Sequence, residues 1–150
     1  NMTSEYLGAN LEKTVRAIHK PIFVVSSVVR PVERFLIAYD GKDNVRKAVE
    51  YVASTPMLKG LEAHLLAVEH GDEINTDASE TALKEAGFAV TTSHTKNKHP
   101  DEAIAEYVAA NNIDMLITGA YSHSRVRNLL LGSTTASLIK ACKVPLLMFR

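Results

Sequence analysis

The sequence predicts an α/β protein, a parallel sheet with helices on both faces. Two observations carry this reading. From Phe35 onward short apolar runs alternate with segments of helical periodicity, and the runs are apolar at successive positions, as strands buried on both faces are. Phe35-Leu36-Ile37-Ala38 is the first strand. Val45, Ala48, Val49 and Val52 then recur at helical spacing, with Asp43 or Asn44 available as a cap and Pro56 closing the helix. Leu65-Leu66-Ala67-Val68 reads as a second buried strand, and Ser79 to Glu85 as a helix ended by Gly87. Phe88 to Thr95 is a strand whose polar end suggests a sheet edge. His99-Pro100-Asp101-Glu102 opens a third helix, because proline suits the first helical position and acids in the first turn complement the dipole. Ala103, Ile104, Tyr107 and Val108 give that helix its buried face. Met115-Leu116-Ile117 is a fourth strand, Gly132-Ser133-Thr134 opens a helix carrying Ala136 and Ile139, and Leu146 to Phe149 is a fifth strand.

A chain of 150 residues suits one domain with a substantial core. Lysine plus arginine balance aspartate plus glutamate at 17 each, so no net field draws in a polyanion and nucleic acid is not an expected partner. No apolar stretch approaches the ~20 residues that span a bilayer, and Asn1 to Glu5 are polar. A soluble cytoplasmic protein with no membrane contact is the expectation. Cys142 is the single cysteine and falls in an apolar helical pattern, which points to a packed thiol in a reducing compartment.

The region before Phe35 repeats the carboxyl-terminal end of the chain. Leu7-Gly8 matches Leu131-Gly132, Val15 matches Ile139, Arg16 matches Lys140, Ala17 matches Ala141 and Pro21 matches Pro145, all at one constant offset. Ile22-Phe23-Val24 aligns in the same register with Leu146-Leu147-Met148. Leu7 to Val25 thus reads as a last helix and last strand, followed by a connection containing Pro31.

The segment richest in chemistry is Gly119-Ala120-Tyr121-Ser122, then His123 to Leu131, then Gly132-Ser133-Thr134. It follows a strand and ends at a helix start, where unpaired amides and the positive end of the dipole can hold a phosphate. Glycines let the backbone approach an anion, and the hydroxyls of Ser133 and Thr134 can donate. Spacing alone leaves an ordinary helix cap beside a loop equally open. His123, Arg125 and Arg127 lie inside the stretch and could reach a terminal phosphate or form a solvated basic loop.

This segment resembles the signature of the universal stress protein family: glycine, two residues, glycine, nine residues, then glycine followed by serine or threonine. Gly119, Gly132 and Ser133 fit, and Ser122 stands where the second glycine is expected. Tyr39-Asp40-Gly41 after the first strand, the run Asn112 to Ile117 and Pro100 corroborate it, so the resemblance covers Phe35 to Arg150. It implies an adenine-nucleotide alpha-hydrolase-like fold, an open five-stranded parallel sheet in the order 3-2-1-4-5. It also implies a nucleotide site at Tyr39, Asp40, Val68, Gly119, Ser122, Gly132, Ser133, Thr134 and Thr135. Asp40 would contact the nucleoside, the Val68 backbone the adenine, and the residues from Gly119 onward the phosphates. ATP is the preferred ligand, with ADP or AMP as alternatives and Mg as a cation that could accompany it. A tandem member of the family would place the end of a preceding domain at residues 1–27, a linker at 28–33 and a complete domain at 34–150. Family members pair through their last strands, so a homodimer built through the terminal strands is expected.

The leading functional expectation is a stress-response ATP-binding module with a regulatory rather than a catalytic role. The alternative is a degenerate site on a protein- or apolar-ligand-interaction module, suggested by Ser122 and by Ala9-Asn10 in the repeat where Ser133-Thr134 stand. An enzymatic reading, with ATP slowly hydrolysed, ranks last: no nucleophile, base and orienting acid can be assembled, and both the Gly-x-Ser-x-Gly elbow and the Walker ending are missing. His94 and His99 flank a lysine-rich loop without a ligand set nearby and read as solvated histidines rather than a metal site.

Overall fold

The computed structural model describes residues 20–25, 30–97, 99–119 and 142–149. Within them the strands are β1 (Ile22–Val24), β2 (Arg34–Tyr39), β3 (Glu62–Glu69), β4 (Ala89–Lys96), β5 (Met115–Gly119) and β6 (Leu146–Phe149). The helices are α1 (Asp43–Ser54), α2 (Asp77–Glu85) and α3 (Pro100–Ala110), with a 3-10 turn at Pro56–Leu58. All six strands join one sheet in the order β1-β6-β5-β2-β3-β4.

The expected sheet of five parallel strands is therefore corrected to a mixed sheet of six. From β2 onward each neighbouring pair is parallel, whereas β1 lies antiparallel on β6, with Phe23 opposite Leu147. The physical reason is the edge of β6: left bare, its row of peptide groups would need another partner. Ile22 and Val24 pack onto the apolar cluster around Leu146 and Met148, while Phe23 points outward. β1 thus covers the edge of β6.

Alternation along the central strands builds two cores, because successive side chains point to opposite faces. Phe35, Ile37 and Leu65 meet Val45, Val49 and Val52 of α1 and Leu83 of α2 on one face. Leu36, Leu66 and Leu116 meet Ile104 and Val108 of α3 on the other. Full burial of such a side chain is worth about 1.5–3 kcal/mol, and this two-sided packing is what makes the strands read as unbroken apolar runs. The polar strand β4 lies at the end of the sheet, as its composition suggests.

The start of α1 departs from expectation. Its cap is Lys42, with Asp43 already helical, rather than Asp43 or Asn44, since the strand-to-helix turn at Asp40-Gly41-Lys42 is tighter than propensity alone indicates. Gly41 has φ +75°, a conformation that side chains other than glycine's rarely adopt. α2 likewise begins at Asp77, two residues before Ser79.

Polar groups fasten the amino-terminal ends of the strands. Asp114, largely buried, accepts from the amides of Glu33 at 2.9 Å and Arg34 at 3.1 Å, and pairs with Arg30 at 3.1 Å. Buried His64 lies 2.7 Å from the Tyr107 hydroxyl and 2.8 Å from Glu62, tying α3 to β3. The His64 hydrogen bond holds the Glu62 carboxyl below its usual range, with Arg34 adding to the effect. Cys142 packs half-buried against the second cluster, and burial pushes its thiol up to about 11. That is the environment of a packed, unreactive cysteine.

Candidate functional site

The chain leaves β2 toward β3 on one side, and β5, the other neighbour of β2, pairs onward with β6. In a parallel α/β sheet this divergence opens a crevice beyond the carboxyl ends of the strands. Asp40 follows β2 and Gly119 ends β5, so both stand at its rim.

Asp40 is anchored at one oxygen only. Its Oδ1 accepts from the Lys42 amide at 3.0 Å, holding the turn into α1. Its Oδ2 is buried and has no hydrogen-bond partner among the described residues. A buried carboxylate oxygen without a donor is unfavourable by about 1–3 kcal/mol or more, so the atom is suited to a hydroxyl or amine arriving from outside.

Gly119 is held by close approach. A Cβ added there would meet Asn44 Cβ at 3.0 Å and the Val45 amide nitrogen at 3.3 Å, so the first turn of α1 sits directly against the end of β5. The positive end of that helix therefore borders the crevice, where it favours negative charge.

Val68 is half-buried near the end of β3. β3 outruns β2: the last register pair is Tyr39 with Ala67, whereas Val68 and Glu69 continue to pair with Thr95 and Lys96 of β4. The Glu69 carbonyl accepts from the Asn97 amide at 3.2 Å and so faces β4. Strand alternation turns the Val68 carbonyl to the opposite side, past the last paired residue of β2. Among the described residues β2 offers it no ladder partner, and it is directed toward the crevice.

Tyr39 plays a different part. Its ring lies in the first core and its hydroxyl accepts from Ser79 Oγ at 3.0 Å, so its side chain braces α2 and only its main chain borders the crevice. The structure thus brings Asp40, Gly119 and the Val68 main chain to one end of the sheet. Ser122, Gly132, Ser133, Thr134 and Thr135 lie outside the described residues, as do His123, Arg125 and Arg127.

Sequence reasoning missed the neighbouring polar cluster. Glu69 is only 5% exposed, and its Oε1 accepts from His94 Nδ1 at 2.9 Å and from the Ile74 amide at 3.2 Å. His94 Nε2 lies 3.2 Å from the hydroxyl of buried Thr76. The His94 bond, then the Ile74 amide, hold the Glu69 carboxyl below its usual range. Its favourable effect on folding is therefore present above the ordinary carboxylate range and is lost as pH falls through the lowered folded-state value. His94 is thus a partnered residue rather than the solvated one expected. The signal is the parallel register, which sets His94 opposite Ala67 and hence diagonal to Glu69 on one face. Among the described residues no group of three or more potential metal ligands occurs, and no helix is long and apolar enough to cross a membrane.

In a doubly wound α/β sheet, the crevice at the switch point is where proteins of this architecture hold small ligands. The sequence profile of the universal stress protein family matches residues 55–150, and the chain belongs to that family. It is 35% identical to the universal stress protein Slr1230 of Synechocystis over 97% of this chain and 52% of the relative. A universal stress protein from Archaeoglobus fulgidus superposes with a TM-score of 0.74 at 25% identity, over 93% of this chain and 52% of that one. The chain spans about half the length of both. Two further solved structures share the fold: a universal stress protein in complex with cAMP (TM-score 0.65, 18% identity, 81% and 98% coverage) and a family protein from Arabidopsis thaliana with AMP bound (0.56, 16%, 79% and 91%).

Proposed function

We propose that this chain is a regulatory adenine-nucleotide-binding module, with ATP as its ligand and no catalytic role. The observation that carries the reading is the buried Oδ2 of Asp40 at the switch point, unpartnered among the described residues and at the same end of the sheet as the Val68 carbonyl. A ribose hydroxyl donates to such a carboxylate. The Val68 carbonyl can accept from the 6-amino group of adenine, whereas guanine presents an oxygen at that position and would be repelled. The complexes of two family members with cAMP and AMP support the class of ligand. Phosphates would then lie on Gly119, Ser122, Gly132, Ser133, Thr134 and Thr135, with Mg as counterion. A cytoplasmic location and the tandem arrangement of residues 1–27, 28–33 and 34–150 belong to the same proposal.

Calorimetry on refolded, nucleotide-free protein tests it: ATP binds and GTP binds at least about tenfold more weakly, the loss expected when one acceptor meets another. No heat with ATP at millimolar concentration refutes the reading. Ser122→Gly restores the family pattern in the phosphate loop and is expected to tighten ATP binding several-fold, on the order of one hydrogen bond. Unchanged affinity would indicate that the serine accommodates phosphate as glycine does.

Pairing of two chains through their terminal strands is also part of this reading. Phe23 on the edge strand β1 and Val25 just after it stay 52% and 60% exposed, and an apolar edge favours a partner. Light scattering over a concentration series is expected to show a dimer mass. A monomer mass throughout removes that element and leaves nucleotide binding untouched.

A further inference from the structure

We infer that Glu69 is a positioning residue for the base end of this crevice: its buried carboxylate, held by His94, fixes Ile74 and its loop as the wall beside the Val68 carbonyl. The inference rests on the proposed nucleotide reading and extends it to residues outside the phosphate signature.

The loop between β3 and α2 has no regular structure to hold it, and Gly71 has φ +102°. Its position is fixed instead by three contacts. The Ile74 amide donates to Glu69 Oε1 at 3.2 Å. Thr76 is tied through His94 back to the same oxygen. The Ile74 side chain reaches the turn after β2, its Cγ2 lying 3.5 Å from where a Cβ on Gly41 would stand, and packs against the first core. Ile74 therefore spans from Glu69, the residue after Val68, to Gly41, the residue after Asp40. Those are the two ends between which a nucleoside must fit if Asp40 takes the ribose and Val68 the base.

The arrangement has a chemical logic. An apolar wall beside a bare carbonyl strengthens the hydrogen bond that the carbonyl accepts, because water is kept from competing. A loop held by a charge-assisted pair is also ordered before the ligand arrives, which lowers the entropic cost of binding. A cleft of about 330 Å³ lies against the loop, lined by Glu73, Ile74, Asn75, Thr76, Asp77 and His94. The groups that face His94 and Glu69 are Thr76, Lys96 and the carboxylate of Glu80.

The test compares ATP with inorganic tripolyphosphate, which lacks the nucleoside, on the unmodified chain and on Glu69→Ala, Glu69→Gln and Thr76→Val. Loss of the clamp is expected to weaken ATP about tenfold in Glu69→Ala while tripolyphosphate binds as before, the size expected for hydrogen bonds to a charged group. Glu69→Gln keeps an acceptor for the Ile74 amide and is expected to recover most of that loss. Hydrogen exchange at the Ile74 amide is expected to quicken in Glu69→Ala without any ligand. Thr76→Val conserves volume, removes only the outer anchor, and should weaken ATP several-fold; it keeps the test open if Glu69→Ala fails to fold. Equal ATP affinity in the unmodified chain and the variants, or equal weakening of ATP and tripolyphosphate, overturns the inference and leaves the nucleotide reading intact. Absence of ATP binding by the unmodified chain overturns both.

Discussion

Asp40→Ala is expected to weaken ATP binding about 10- to 100-fold while leaving the thermal midpoint close to that of the unmodified chain. The two oxygens of Asp40 have separate tasks. Oδ2 is buried without a donor among the described residues, so a hydroxyl reaching it would form a charge-assisted bond in a poorly hydrated place. Such bonds are worth about 1.5–3 kcal/mol, and each 1.4 kcal/mol is a factor of ten in affinity. Oδ1 contributes to folding through the Lys42 amide, a bond of about 1 kcal/mol. Alanine removes that bond but also the unsatisfied oxygen, so the two effects on stability oppose each other. Asp40→Asn retains one acceptor and is expected to fall between. Calorimetric titration with ATP decides the matter. An Asp40→Ala chain that is folded and binds ATP as tightly as the unmodified one would move the ribose away from β2.

The elements legible in the sequence are those whose signal is local. Phe35 to Ala38 and Leu65 to Val68 are apolar at successive positions because cores lie on both faces, and α1 and α3 carry their buried residues at helical spacing. The identity of β4 as an edge was also readable, since an end strand is less covered than a central one and accommodates the exposed Thr91, His94 and Lys96. What sequence could not supply was pairing across distance. The antiparallel meeting of Ile22–Val24 with Leu146–Phe149 inside one chain depends on the path of the connection, and the five-stranded expectation failed there. The Glu69, His94 and Thr76 cluster was invisible for the same reason: 25 residues separate Glu69 from His94 in the chain, and only the register of β3 on β4 joins them. At the site, Asp40 and Gly119 were named from a motif, but the reason for each is spatial. One has an orphaned oxygen, and the other has a helix against its α-carbon.

That second constraint gives the largest expected effect on stability. Gly119→Val is expected to destabilise the chain by about 3 kcal/mol or more, against about 1–3 kcal/mol for Gly119→Ala, because overpacking forces backbone shifts. The atoms in the way are not the tips of flexible side chains. They are Asn44 Cβ at 3.0 Å and the Val45 amide at 3.3 Å, both in the first turn of α1. Val45 is 1% exposed and belongs to the first core, so α1 cannot retreat from β5 without opening its contacts with Ile37 and Ile117. For a domain of this size each kcal/mol lowers the thermal midpoint by roughly 2–4 °C, so the valine chain should melt about 6–12 °C lower. The same displacement carries the Asp40-to-Lys42 turn with it, since the Lys42 carbonyl accepts from the Arg46 amide at 3.1 Å and the Lys42 amide donates to Asp40. ATP affinity measured well below the melting transition should therefore fall in both variants, more in valine than in alanine. A Gly119→Ala chain whose melting and ATP binding both match the unmodified protein would mean that α1 can yield at its first turn, and that the glycine is not required by this contact.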